Sequence, residues 1–421
     1  MKKRIFIGIL CLVMAAFVFG CSQQADPPAN GDDPPAEKEE HTIVALLPLT
    51  GVLSTFGENS ATVARFAAEE VNEWLVANDK NWTLRLEVED TQTEPTVGLQ
   101  KMQSWFGVGV RFFAGPQASG VARECLAFAN SNQILFVSQS STSPALAIAD
   151  DWLYRFCTAD DIQGPAVANI AKAAGAKHLI FTWRGDTWGD GLQGASEDAA
   201  KALGIEIYPE KLRYDQNLED FTVQAASLNN YVTDLVGKGA SLDEIAIVVI
   251  AFEEIAPYMN AANAYPQLKQ VRWIGSDGTA NSEALQQSPV GAEFANATTF
   301  LNPINRPEEG VNRERVRAHV QSVLGRETDS YSYNSYDIIW SLAMAIDQVG
   351  YDSVKVKEIL PQVASDWSKD NGASGHVVLN DAGDRAFADY DLWLINDDKR
   401  WEYVGFFNSR DQVIEWEREV Y

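Results

Sequence analysis

From Thr42 onward the chain alternates between short apolar runs and longer stripes of helical spacing, and this alternation narrows its possible folds more than any other feature. The first run is Thr42-Ile-Val-Ala-Leu-Leu-Pro-Leu49. After a glycine-containing loop, Val63, Phe66, Ala67, Val71, Trp74 and Leu75 recur on one helix face. Leu84–Val88, Phe112–Ala114, Ile134–Ser138, Leu179–Trp183, Ile245–Ile250 and Val271–Ile274 read as further buried strands. Helical stretches near 95–106, 119–130, 163–174, 188–203, 218–237 and 254–264 separate most of them. Strands alternating with helices predict parallel sheets covered on both faces, an α/β chain. A length of 421 residues exceeds what one hydrophobic core usually supports. The units are too many for one small sheet and lack the eightfold regularity of a barrel. Two Rossmann-like lobes are expected, with ligands at the carboxyl ends of the strands.

The first 41 residues have a different character. Lys2, Lys3 and Arg4 precede a 15-residue apolar stretch from Ile5 to Phe19. This reads as a signal peptide over residues 1–20, too short and wrongly flanked for a stable membrane span. Gly20 before Cys21 resembles a bacterial lipobox, which implies a lipid on Cys21 as the mature N-terminus. An ordinary secretory signal cut elsewhere is the alternative. Residues 21–41 are rich in proline and acids, hold no aliphatic side chain larger than alanine, and read as an extended tether.

The chain carries 33 Lys+Arg against 59 Asp+Glu, a net charge of −26 that becomes −29 once residues 1–20 and their three cations are gone. Such acidity argues against a nucleic-acid partner, whose phosphates need Lys and Arg. It also argues against adsorption to anionic lipid, so the lipid on Cys21 would be the only membrane contact. Four cysteines exclude a disulfide scaffold or a multi-cysteine zinc protein. Cys125 and Cys157, the two in the body, are compatible with one disulfide or with two free thiols. The four histidines are scattered, and neither a metal site nor a cofactor is expected.

Two consecutive loops have the composition of a carboxylate seat. Phe113-Ala-Gly-Pro-Gln-Ala-Ser-Gly-Val121 leaves a strand and opens a helix, with Ser119 at or near its N-cap. The next unit repeats the plan with Ser138-Gln-Ser-Ser-Thr-Ser-Pro144, where Pro144 suits a first helical turn and leaves Ser140, Ser141 and Thr142 in the loop. Hydroxyl-rich helix N-termini favour anions, although plain capping explains them equally well. Further on, Asp277 in Trp273-Ile-Gly-Ser-Asp277-Gly-Thr-Ala-Asn281 could face a ligand ammonium or cap the next helix. Trp188 and Phe252, both after strands, could be apolar walls or core.

In order and spacing these segments resemble the type I periplasmic solute-binding proteins, more narrowly their branched-chain-amino-acid-binding branch. The resemblance covers nearly all of 42–421. It rests on Leu47-Pro-Leu-Thr-Gly51 with Phe56-Gly57, Ala68-Glu-Glu-Val-Asn72, Glu87-Val-Glu-Asp90, Ala114-Gly with Ser119, and Ser138 to Thr142. It continues through Asp160-Asp-Ile-Gln-Gly164, Asp186-Thr-Trp-Gly-Asp-Gly191, Gly275-Ser-Asp-Gly278, Tyr336-Asp337 and Gly375 to Asp384. The resemblance implies two lobes joined by three hinge crossings near 158, 301 and 372. Lobe 1 would comprise 42–158 plus 302–371, and lobe 2 would comprise 159–301 plus 372–421. Thr298–Leu301 and Val377–Leu379 would be strands at or after crossings.

By the same resemblance, Ser119, Thr142 and the loop at Ser140 and Ser141 would hold a ligand carboxylate. Asp277 would hold an α-ammonium, where the branched-chain binders have a longer Glu. Trp188, Phe56 and Phe252 would wall the pocket, and Asp160 would lie at the cleft. The implied ligand is an α-amino acid, bound between the lobes by a monomeric, exported, lipid-anchored receptor. The receptor would face the periplasm or the outer side of the cell membrane and deliver to the permease subunits of an ABC transporter.

Competing readings are weaker. Gly189-Asp-Gly-Leu-Gln-Gly194 matches a dinucleotide fingerprint in form but starts several residues after its strand. Asn380-Asp-Ala-Gly-Asp384 lacks the rest of a calcium loop and reads as a turn with Gly383 at positive φ. A sensory receptor of the same fold, or a binder of an amide, short peptide or aromatic acid, remains open. An exported hydrolase using Asp160, Asp161 and Asp277 has no nucleophile motif behind it, so no enzyme is expected.

Overall fold

The structure is a computed structural model that describes residues 38–421. The expected signal peptide, the expected lipid site Cys21 and nearly all of the expected tether lie outside the described residues.

Three sheets form the frame. The first has five parallel strands in the order Trp82–Asp90, Glu39–Leu47, Phe112–Ala114, Leu135–Ser138 and Leu153–Arg155. The second is also parallel and orders Arg272–Ile274, Ile245–Ile250 and His178–Arg184, with Glu206–Ile207 and Leu212–Tyr214 along one edge. The third is antiparallel and runs Asn302–Asn305, Tyr390–Ile395, Trp401–Asn408, Val413–Trp416. A bridge between Ile274 and Leu301 joins it to the second sheet.

The strand period of two assigns the core. Ile43, Ala45 and Leu47 face one cluster with Val63, Ala67 and Val71 of the helix Ser54–Ala77 and with Ile339 and Leu342 of the helix Ser330–Val349. Val44 and Leu46 point the other way, into a cluster with Val121, Cys125 and Cys157. The second sheet repeats the pattern: Ile245, Ile247 and Val249 enter one core, and Ala246, Val248 and Ile250 enter the cluster that holds Val44. Both sheets are therefore buried on both faces, as parallel sheets require. Cys125 and Cys157 are buried free thiols.

Several boundaries differ from the sequence expectation for identifiable reasons. The first strand begins at Glu39, so residues 39–41, read from composition as tether, pair with Trp82–Leu84. His41 stacks on Tyr351 at 4.7 Å, which holds that end to the body. One helix starts at Asp160 instead of 163, with Asp160 and Asp161 in its first turn where the helix dipole favours acids. Another starts at Thr222 instead of 218, because Asp220 accepts the Thr222 N–H at 2.9 Å. Thr298 is not a strand residue: it closes the helix Pro289–Ala297, its hydroxyl donating to Phe294 O at 2.9 Å. Of Val377–Leu379, only Leu379 makes a bridge, to Arg385.

Candidate functional site

On the first-sheet side, the strand Phe112–Ala114 ends at Gly115, whose φ is +96°. A Cβ there would lie 2.4 Å from Leu46 O, so only glycine fits the turn. The helix Ser119–Asn132 follows, with Ala118 as its cap. Ser119 does not cap it. Its hydroxyl accepts the Ser143 N–H at 3.1 Å and so ties the two loops together. Ser138 is the hub of the second loop: it donates to Pro116 O at 2.7 Å and accepts from Ser141 N–H at 2.9 Å. Ser140 donates to Gln117 O at 3.2 Å, and Ser143 donates to Thr187 O at 2.8 Å.

Arg155 fixes this loop from behind. It is fully buried and bidentate to Asp384, and its Nη1 donates to the carbonyls of Ser141 at 2.7 Å and Ser143 at 2.9 Å. Asp384 lies in the tight Asn380–Asp384 turn, with Gly383 at φ +80°. That segment, which superficially resembles a calcium loop, is thus a counterion mount.

The second-sheet side is aromatic and acidic. Arg184 ends the strand His178–Arg184 and is ion-paired with Asp186 and Glu254. It lies 4.2 Å above the Phe252 ring, and Phe252 stacks on Trp188 at 4.4 Å and 11°. Gly278 admits the indole: a Cβ there would come within 2.5 Å of Trp188 Cη2. The segment Gly189–Gly194 lies inside the helix Thr187–Ala202, not in a strand-to-helix turn, so it cradles no phosphate as a dinucleotide fingerprint would.

Asp277 is 5% exposed and Asp160 is 0% exposed. Tyr331 donates to Asp277 Oδ2 at 2.7 Å, and Thr142 donates to Asp160 Oδ2 at 3.0 Å. The second oxygen of each carboxyl is buried without a hydrogen-bond partner, as are the hydroxyls of Ser141 and Ser276. Burial pushes both carboxyls above the usual carboxylate range, and the charge of Asp277 pushes Asp160 further. Burial outweighs the hydrogen bond from Tyr331 and leaves Asp277 at about 6. Asp277, buried and short of one donor, suits a cation that can donate a hydrogen bond.

Between the two sides lies a cavity of about 30 Å³, room for about two waters. Of the residues expected at a ligand, Phe56, Ser119, Ser140, Trp188, Phe252 and Asp277 line it. Ser141, Thr142 and Asp160 do not: they are buried one layer behind, since the loop turns them toward Arg155 and the start of the helix Asp160–Ala173. Tyr331 and Gln117 line the cavity without having been expected there. Among the described residues no group of His, Cys, Asp and Glu is arranged to hold a metal, and no helix is long and apolar enough to cross a membrane.

Residues 59–398 match the family described as the receptor family ligand binding region. An uncharacterized protein of Methanocaldococcus jannaschii is 30% identical over 96% of this chain and 98% of its own length. A Leu/Ile/Val-binding protein of Rhizobium johnstonii is 24% identical over 85% of this chain and 92% of its own. The crystal structure of a leucine-binding protein from Thermotoga maritima superposes with a TM-score of 0.73 at 20% identity, covering 88% of this chain and 99% of that one. The chain belongs to the receptor family ligand binding region and has the two-lobed type I periplasmic binding protein fold, the family and fold of solute-binding proteins that are not enzymes.

Proposed function

We propose that the chain is an exported receptor, anchored by a lipid on Cys21, that captures a small α-amino acid between its lobes and delivers it to an ABC transporter. The observation that carries this reading is Asp277, buried at the cavity wall with one unsatisfied oxygen, opposite Ser119 and Ser140 of the hydroxyl loops. An ammonium supplies the missing charge and donor to this acid. A carboxylate takes the donors of the other side. The two charged ends of one zwitterion therefore address both sides at once.

Lobe 1 is taken as 42–158 plus 302–371 and lobe 2 as 159–301 plus 372–421. Tyr331 would then reach across from lobe 1 to Asp277 in lobe 2. A ligand bridging the lobes gains its full contacts only when they close, so it shifts the hinge equilibrium by its differential affinity for the closed form. The stack of Arg184, Phe252 and Trp188 leaves little room beyond the acids, which favours a short side chain. The names of the Rhizobium and Thermotoga relatives support an amino acid as the ligand class. The monomer is taken as the working unit.

Calorimetric titration with the common amino acids tests the reading. Binding by alanine, serine or glycine, tighter than by leucine, is expected. Binding only by aromatic acids, amides or short peptides would overturn it.

A further inference from the structure

A second cavity, of about 520 Å³, adjoins the first and shares Phe56 with it. Its volume falls within the range of small-molecule sites. Segments 55–59 and 307–333 form one side, and segments 281–286 and 391–401 form the other. In a chain of net charge −26, this lining carries four arginines and no lysine.

The acids of the lining are already committed. Glu327 holds Arg317 at 3.1 Å, and Glu283 holds Arg326 at 3.1 Å. Asp391 is paired with Arg306 at 3.0 Å, and Asp329 caps the helix Ser330–Val349 while accepting from Asn59 at 2.9 Å. Arg313 and Arg400 are left without an ion pair among the described residues. The Arg313 guanidinium donates to Pro307 O at 3.4 Å, lies 5.6 Å from the Tyr333 ring and acts on Asp391 through its charge without pairing with it. Arg400 closes the turn at Asn396 through its backbone, which leaves its side chain uncommitted. The hydroxyl of Ser330 is buried without a partner on the same wall. Trp393, Trp401 and Tyr333 supply flat apolar surface beside these donors.

We propose that this cavity is a second ligand site, which takes a flat aromatic anion. Its acidic group lies between Arg313 and Arg400, whose planar forks match carboxylate and phosphate oxygens. Its ring lies against Trp393 and Trp401, where aromatic stacking adds to area burial. The unsatisfied Ser330 hydroxyl gains an acceptor. The site is distinct from the acid-lined cavity, whose uncompensated groups are of the opposite sign.

Isothermal titration of the full chain with indole-3-acetate and phenyl phosphate, against neutral indole and cationic tryptamine, tests the proposal. Both anions are expected to bind, each about tenfold or more tighter than indole or tryptamine, and their ratio tells carboxylate from phosphate. The Arg313→Gln/Arg400→Gln pair is expected to weaken the anions about tenfold or more and leave any solute of the acid-lined cavity within about twofold. Arg400→Gln alone, at an exposed turn, is expected to weaken them in part and serves if the double variant does not fold. Asp277→Ala should leave anion binding intact. Equal binding of indole or tryptamine, unchanged anion affinity in the arginine variants, or loss of the anions with Asp277→Ala would each overturn the proposal, the last by moving them to the first cavity.

Discussion

Across the small cavity, the first-sheet side uses several of its serine hydroxyls to tie its own loops together, while Asp277 on the second-sheet side holds one oxygen in reserve. Ser119 receives Ser143 N–H, Ser138 receives Ser141 N–H, and Ser140 reaches Gln117 O, with Arg155 bracing the carbonyls behind. Facing them, Asp277 keeps an oxygen with no partner in a site nearly closed to water. The first arrangement fixes a shape and stabilises the empty protein. The second weakens the empty protein and concentrates its affinity on whatever brings a positive charge.

The largest test of this contrast removes the brace. Arg155→Leu is expected to cost about 3–5 kcal/mol of unfolding free energy, because Asp384 would remain buried without its counterion. Urea denaturation measures it, and Arg155→Leu with Asp384→Leu should recover much of the loss. A cost under about 1 kcal/mol, the level of a typical surface pair, would mean that the loop is not held from behind.

Asp277→Ala is expected to weaken an amino-acid ligand by about 2 kcal/mol or more, through loss of a buried charge-assisted pair. The same substitution should leave the empty protein as stable as before or more so, since an uncompensated acid is removed. Calorimetry and thermal melts read the two signs. A stability loss with unchanged affinity would reverse the contrast.

The acids also predict a pH dependence. A carboxyl whose folded pKa is raised to about 6 binds its proton more tightly folded than unfolded. Its stabilising contribution is therefore complete below the unfolded value and is lost as pH rises through about 6. Ammonium binding needs the ionised form, so ligand affinity should rise between pH 5 and 7.5, by about 1.4 kcal/mol per unit on the steep part. Titration calorimetry at the two pH values should also show proton release on binding. A flat profile would mean that neither acid meets the ligand's charge.

The smallest effect belongs to the committed side. Ser119→Ala removes one acceptor from Ser143 N–H and is expected to cost about 1 kcal/mol of stability by thermal melt.

The sequence made the strand ends legible because a parallel strand buried on both faces is a short apolar run, and the loop just after that run is the one that lines the small cavity. Ser119, Ser140, Trp188, Phe252 and Asp277 all sit in or just after such loops. Tyr331 does not, since it opens a helix that is otherwise core-facing and meets Asp277 from 54 residues away. Arg155 and Asp384 are 229 residues apart, and neither carries a local signal of its partner. Thr142 and Asp160 were expected at the ligand but lie behind the wall, because a loop's inward and outward residues depend on turns that periodicity does not encode. The antiparallel sheet from Tyr390 onward was illegible for a related reason. Its strand Trp401–Asn408 meets Tyr390–Ile395 with a register shift and does not alternate cleanly in burial.

Cys125 and Cys157 lie in the cluster shared by the two parallel sheets, and burial pushes the Cys125 thiol up to about 12 and the Cys157 thiol higher still. At neutral pH almost no thiolate forms at these two sites, so a thiol reagent does not label them until the seam between the sheets comes apart. The rate of labelling then counts the openings that part the two sheets. The protein thus carries its own clock for how long that seam stays shut.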